Sequence, residues 1–343
     1  MAVGIKEVAR VAGVSPATVS RVLGNGLVSE ELREQVEAAV RATGYRPNLS
    51  ARRLRSQHSH TVGLIVADIC NPFFTAVSRA VEDAAYKAGL RVILCNTDED
   101  PDKEAMVLRL MEEERVTGVI FAPTRASAGR VPKDVSFPTV LIDRVVPMAR
   151  HDSVVLDNFA AASELVEHLH AQGWRRVRGL FGNASTTGEE RHAGYVAAMK
   201  RCALEADAVF VSPTVAAAET EVGRWLASGD RPEAIIVSNG LLLMGVVRAL
   251  RSAGLELARD IAVAGFDNEP WTELIGPGLT TIEQPVESMG RAAMQLLLQR
   301  LQNPEEPVRK VVLAGRCVVR GSTLSPAALA AADPVALSAG PAK

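Results

Sequence analysis

Residues 5–23 read Ile-Lys-Glu-Val-Ala-Arg-Val-Ala-Gly-Val-Ser-Pro-Ala-Thr-Val-Ser-Arg-Val-Leu, and no other run limits the fold so tightly. Ile5, Val8, Ala9 and Ala12 recur at i, i+3, i+4 and i+7, which gives a short helix one apolar face. Gly13 permits a sharp turn. Ser15 is placed to cap a second helix, and Pro16 takes the first helical position, where a missing N–H costs nothing. Val19, Val22 and Leu23 form the buried face of that helix, leaving Pro16, Ala17, Thr18, Ser20 and Arg21 outward. Two short helices about a Gly turn can set the second one, with Ser15 at its start among the DNA contacts, in the major groove of DNA. In that role Arg21 can donate two hydrogen bonds to guanine, while Pro16 and Ala17 can read only shape or a thymine methyl. Thr18 and Ser20 are read either as phosphate-positioning hydroxyls or as groups bonded to the preceding turn. The alternative for the whole run is a plain helical hairpin with Ser15 as an ordinary cap and Arg21 solvated. A third helix is expected from Ser29, with Glu30 and Glu31 in its first turn, to Gly44.

Charge separates the ends of the chain. The first 60 residues hold nine Lys or Arg against five acids, +4, and the rest hold 29 against 35, −6, within a total of −2. A basic end suits phosphates, and an acidic body stays off the polyanion. A length of 343 residues implies two or three domains. No apolar run approaches the roughly 20 residues of a membrane helix, and no basic-then-apolar leader opens the chain, so a cytoplasmic protein without membrane contact is expected, nucleoid-associated through DNA alone. Cys70, Cys95, Cys202 and Cys317 are far apart without C-x-x-C spacing, which predicts buried free thiols and no metal.

From about Thr61 short β-branched runs alternate with amphipathic stretches. Strands are predicted at 62–67, 92–95, 118–122, 140–142, 177–181, 208–211, 234–237 and 261–264, and helices at 73–87, 103–114, 159–171, 190–200, 242–253 and 286–302. The alternation argues a doubly wound α/β architecture, and eight strands with a late return segment exceed one compact half, so two lobes are expected. Strand ends in such a cleft are where polar side chains meet a small molecule. Asp68, Asn71, Asp143, Arg191, Asn239 and Asp267 lie at or near predicted strand ends or helix starts, and Phe73 and Phe74 can wall a sugar ring. Carboxylates, amides and a guanidinium suit a hydroxyl-rich ligand. Each carboxylate could instead cap a helix or form a salt bridge, and Arg144 could bind an acidic ligand or serve the lobe interface.

The helix pair V-A-x-x-A-G-V-S-x-x-T-V-S-R-V-L from Val8, the G-Y-x-P-N junction at Gly44–Asn48 and the A-x-x-L run at Ala51–Leu54 together resemble the LacI family of bacterial transcriptional regulators. Similar body motifs are N-P-F-F from Asn71, L-I-D-R from Leu141, L-D-N from Leu156, R-x-x-G-Y from Arg191, V-A-G-F-D from Val263, L-T-T-I-x-Q-P from Leu279 and R-G-S-T from Arg320. The resemblance implies a helix-turn-helix headpiece at 1–46, a hinge helix and linker at 47–60, and a body at 61–324 like a periplasmic sugar-binding protein. It places the first lobe at about 61–158 and 286–317 and the second at about 159–284 and 318–324, with crossings near 157–160, 283–286 and 316–320. The segment 325–343, rich in Ala, Pro and Ser, is expected to be a disordered tail, and a homodimer is expected because no leucine repeat joins dimers there.

The family's hinge implies that Asn48, Ala51, Arg52 and Leu54 contact DNA, with Leu54 wedged into the minor groove of a pseudo-palindromic operator and Ala51 small enough for close helix approach. Gly4 and Gly24 depart from the polar residues usual there, and Asn25 is read as taking over the second role. Arg191 and Asp267 are the firmest implied effector contacts, and Gly240 replaces a usual Asp. The function implied is a repressor controlled by a small sugar-like effector in the cleft between the lobes. A rival reading is a solute-binding or sugar-acting protein with no DNA role. No phosphate loop, no metal-ligand spacing and no Ser-centred G-x-S-x-G elbow supports an enzyme, and no cofactor is expected.

Overall fold

A computed structural model describes residues 3–24, 26–45, 59–125, 137–146, 151–229, 231–325 and 328. The chain divides into two compact units, residues 1–59 and 60–343. In the first, α1 (Ile5–Val11), α2 (Pro16–Leu23) and α3 (Glu30–Thr43) close on a small core of Val8, Ala9, Ala12, Val19, Val22, Val36 and Ala39. Gly13, at φ +60°, makes the turn between α1 and α2, and Gln35 Nε2 ties α3 to the Ala12 carbonyl at 2.9 Å. Ser29 caps α3, and Gly44 ends it in the left-handed conformation. All three helices follow the caps and apolar spacing of the sequence.

The second unit alternates strands and helices: β1 (Thr61–Val66), α4 (Pro72–Lys87), β2 (Arg91–Asn96), α5 (Pro101–Glu113), β3 (Gly118–Phe121), β4 (Thr139–Ile142), β5 (Asp152–Leu156), α6 (Asn158–Ala171), β6 (Val177–Gly182), α7 (Thr186–Arg201), β7 (Asp207–Val211), α8 (Val215–Ala227), β8 (Ala234–Val237), α9 (Gly240–Ser252), β9 (Ala262–Phe266), β10 (Thr280–Glu283), α10 (Val286–Gln302), β11 (Lys310–Leu313) and β12 (Arg316–Val318). They build two six-stranded sheets of matching order, β2-β1-β3-β4-β5-β11 and β7-β6-β8-β9-β10-β12. Every pairing is parallel except β12 on β10. β1, β3, β4, β5, β8 and β9 are buried along their whole length, which their runs of Val, Ile, Leu and Ala allow without alternation. Each sheet has an apolar cluster on both faces. On the first, Val77 and Val81 of α4 meet Met289 and Leu297 of α10 on one side, and Met111 of α5 packs on Phe121 on the other.

The chain passes between sheets at Asp157, at Gln284–Pro285 and at Ala314–Gly315. The third passage corrects the expected one at 316–320: Cys317 pairs with Ile282, so β12 lies in the second lobe and the first ends before residue 317. A Cβ on Gly315 would come within 2.7 Å of Ile282 Cγ2, so the passage needs glycine. The four cysteines are free but not fully buried as expected. Cys70 is exposed and the others are half-buried, and burial pushes the Cys317 thiol up to about 11. Among the described residues no helix is long and apolar enough to cross a membrane. Apart from residues 325 and 328, the tail expected at 325–343 lies outside the described residues.

At the foot of the first sheet, the Asp152 side chain is wholly buried and takes both arms of Arg300 at 2.9 and 3.0 Å, together with the Arg309 N–H at 2.8 Å. Arg300 also donates to the carbonyls of Pro304, Glu306 and Pro307, so one ion pair pins β5, the end of α10 and the approach to β11. Asp152→Ala strands this guanidinium and is expected to destabilise the first lobe by about 3–5 kcal/mol. A urea midpoint for that lobe equal to the parent's would contradict the role.

Candidate functional site

Two candidate surfaces follow from this architecture. On the first unit, Ser15 Oγ accepts the Thr18 N–H at 3.1 Å and lies 2.9 Å from Thr18 Oγ1, so the cap fixes where α2 begins. Pro16, Ala17 and Arg21 are exposed, whereas Thr18 and Ser20 are half-buried. The Thr18 hydroxyl thus makes the local bond weighed against phosphate contact. The Arg21 stem lies over Gly26, where a Cβ would approach Arg21 Cγ to 2.6 Å. Leu27, next in the chain, is fully exposed. Asn25, Asn48, Ala51, Arg52 and Leu54 lie outside the described residues.

On the second unit, the C-terminal strand ends of both sheets face one cleft, enclosing about 560 Å³ including its open mouth. Asp68, Asn71, Phe73, Phe74 and Asp143 of one lobe and Arg191, Asn239 and Asp267 of the other all line it, so the structure gathers every effector candidate named from the sequence. In both sheets strand order reverses beside the first strand, where α/β folds bind ligands. Asp143 and Asp267 occupy matching places, each just past the fourth strand, at φ +67° and +75°. Each donates its N–H at 3.0 Å to the neighbouring crossing strand, Asp143 to Val154 and Asp267 to Ile282. Left-handed backbone at a residue other than glycine is strained, and here it turns two buried carboxylates into the same space.

Arg191 is 3% exposed. Its Nε donates to Asn158 Oδ1 at 2.7 Å and its Nη1 to the Ser238 carbonyl, and its guanidinium lies 4.0 Å from the centre of the Phe266 ring. Nη2 has no hydrogen-bond partner among the described residues. Burial draws the Arg191 guanidinium below its ordinary range, against the pull of Asp267 and Asp143. Burial likewise raises the Asp143 carboxyl, opposed by Arg144 and Arg191 and reinforced by Asp267 and Glu99. Asp267 accepts the Gly240 N–H at 2.8 Å and Gln284 Nε2 at 2.7 Å, so its carboxylate is held rigid at the start of α9.

The other candidates double as caps. Asp68 accepts the Cys70 N–H, Asn71 caps α4 and Asn239 caps α9. Arg144, left open between two roles, is committed within its own lobe. It meets both oxygens of Glu99 at 2.5 and 2.8 Å, the Pro123 carbonyl at 3.1 Å and Asp143 at 3.2 Å. Sequence reasoning missed Glu99, Ser185, Thr187, Ser238 and Gln284, which also line the cleft. Gln284 sits inside the L-T-T-I-x-Q-P run and could have been found there; Glu99 reaches the wall through the left-handed pair Asp98–Glu99, which no pattern marks.

A capped helix pair on one unit and a two-lobed cleft on the other define a DNA-binding regulator with a ligand-sensing body. A family profile described as bacterial regulatory proteins, lacI family, matches residues 4–48, and one described as periplasmic binding protein-like domain matches 166–323. The chain is 34% identical over 328 residues to the HTH-type transcriptional regulator PtxS of Pseudomonas plecoglossicida, covering 94% of this chain and 96% of that protein. It is 32% identical over 330 residues to the ribose operon repressor of Escherichia coli strain K12, covering 93% and 99%. A crystal structure of the lac repressor dimer bound to operator and the anti-inducer ONPF superposes with a TM-score of 0.84 at 26% identity, covering 95% of this chain and all of that one. A CelR–cellobiose complex superposes at 0.71 with 25% identity, covering 93% and 99%. The chain belongs to the LacI family of transcriptional regulators.

Ser15→Ala removes the cap of α2 at a cost of about 1 kcal/mol. Amide exchange in α2 of the full chain is expected to quicken about fivefold. Unchanged exchange would show that the Ser15 hydroxyl does not hold the helix start.

Proposed function

We propose that this chain is a homodimeric repressor that holds a pseudo-palindromic operator through Arg21 and the exposed face of α2, and that a small hydroxyl-rich, sugar-like effector in the cleft changes that grip. The reading places the effector against Arg191, Asp267 and Asn239 of one lobe and Asp68, Asn71, Asp143, Phe73 and Phe74 of the other. One observation carries it: a buried guanidinium with an uncommitted Nη2 shares a cavity with two buried carboxylates on matching turns. Such groups offer donors and acceptors to hydroxyls, each of which both gives and takes a hydrogen bond. The similar proteins support the class of ligand and partner, since one is a ribose operon repressor, one a cellobiose complex and one a repressor dimer on operator. The segment with Asn48, Ala51, Arg52 and Leu54 serves in this reading as the second DNA contact, with Asn25 beside α2. The chain acts by binding alone and catalyses no reaction.

Effector and operator are coupled reciprocally, so an effector that weakens operator binding itself binds less tightly to the DNA-bound form. Arg21→Ala is expected to narrow the ratio of specific to random-duplex affinity by about 5- to 150-fold, or 1–3 kcal/mol. A ratio equal to the parent's removes Arg21 from base reading. For the cleft, thermal shift against ribose, cellobiose, aldonic acids and sugar phosphates identifies a stabilising compound. Asp267→Ala should then weaken that compound by about 10- to 100-fold in calorimetry, the scale of a charged hydrogen bond, with operator affinity kept. Parental affinity in that variant would overturn the assignment, and a protein that prefers no duplex over random DNA would overturn the function.

A further inference from the structure

Outside the cleft wall, one set of contacts among the described residues joins the lobes directly. Arg125 follows β3 in the first lobe, past the Pro123 whose carbonyl Arg144 holds. Its backbone N–H donates to the Ala184 carbonyl at 3.3 Å, its Nη1 to the Asn183 carbonyl at 3.1 Å, and its Nη2 meets Glu189 Oε1 at 2.5 Å. Asn183 and Ala184 form the turn between β6 and α7, and Glu189 lies on α7 two residues before Arg191. None of the three chain passages at 157, 284–285 and 314–315 takes part. The first lobe therefore grips, across the mouth, the helix that carries the buried guanidinium.

We propose that Arg125 is a latch that closes the two lobes, acting on α7 through Glu189 and the Asn183 and Ala184 carbonyls, and that it sets how far the cleft stands open without effector. Both side chains are about half exposed, 51% and 46%, so the pair is screened by water and salt and biases the lobes without locking them. The backbone contacts are lost with the pair when the lobes part, because all three partners belong to the second lobe. Arg125 lies outside the cleft lining, so it is a positioning residue whose removal leaves the proposed ligand contacts in place. Its influence on effector affinity rests on the function proposed above, whereas the closure itself does not.

The test uses the full chain with neither effector nor DNA, so failure of the latch and failure of the proposed function are separate results. Spin labels go on Asp102→Cys and Ala216→Cys, exposed positions at the starts of α5 and α8 on opposite sides of the cleft, with the four native cysteines changed to serine. Labelled protein is diluted into unlabelled protein so that distances within one chain dominate. Arg125→Ala is expected to raise the ratio of long to short inter-lobe distances about three- to fivefold. Glu189→Ala should raise it less, since two carbonyl contacts remain, and the reversed pair Arg125→Glu with Glu189→Arg should recover most of the short population. Raising NaCl from 50 mM to 1 M should widen the parent distribution and leave Arg125→Ala unchanged. Parental distances in both single variants, or a reversed pair as open as Arg125→Ala, would overturn the proposal.

Discussion

The buried guanidinium of Arg191 is the interaction on which the second unit turns. It hangs on α7, donates to Asn158 at the first passage between lobes, and donates to the Ser238 carbonyl at the end of β8. Asn158 is itself fixed by Glu190, which accepts from its Nδ2 at 2.8 Å, so helix, passage and strand end form one hydrogen-bonded joint. A charge this deep is tolerated because every face is answered, by carbonyl and amide oxygens at its edge, the Phe266 ring beneath it and the fields of Asp267 and Asp143. Among the described residues only Nη2 is left without a partner, and the cavity lies beside it. A ligand that takes this donor touches the joint through which the chain passes from one lobe to the other.

Close packing around that joint explains two glycines. A Cβ on Gly188 would fall 2.0 Å from the Gly182 carbonyl oxygen, and one on Gly194 would fall 2.2 Å from that of Phe159. The first brings the start of α7 against the end of β6; the second presses α7 onto α6, where Ser163 also bonds the Gly194 carbonyl at 3.0 Å. Side chains at these two positions would push α7 outward and carry Arg191 away from Asn158. The geometry of the cleft is thus set by backbone contact on one helix as much as by the polar groups that line it.

The first unit was legible almost residue by residue, because caps and apolar spacing are local signals: Ser15, Pro16, Gly13, Ser29 and Gly44 mark their own positions. The eight predicted strands are present, displaced by a residue or two at their ends. β5, β10, β11 and β12 went unmarked, since Asp-Ser-Val-Val-Leu, Thr-Thr-Ile-Glu, Lys-Val-Val-Leu and Arg-Cys-Val are short and carry charges. They are strands by virtue of their neighbours; Asp152 enters one only because Arg300 meets it there. α8 escaped for a related reason, as its run of alanines and Gly223 blurs the apolar face that Val222 and Trp225 supply. In the cleft, residues at strand ends were readable, but the commitments of Arg144 and the arrival of Glu99 depend on contacts between distant segments.

The weakness of the contacts across the mouth is itself informative. An exposed ion pair contributes about 0.2–1 kcal/mol, a bias of roughly fivefold at most, and the few bonds beside it are exchanged with water when the lobes part. A switch needs a closed state that is favoured only slightly, because a ligand moves an equilibrium by no more than its difference in affinity between the two states. Driving two states from 1:99 to 99:1 takes about 5.5 kcal/mol of such difference. Buried pairs such as Asp152–Arg300 and Arg144–Glu99 hold the first lobe rigid, and the half-exposed one spans the gap, a division that leaves the lobes free to respond as bodies.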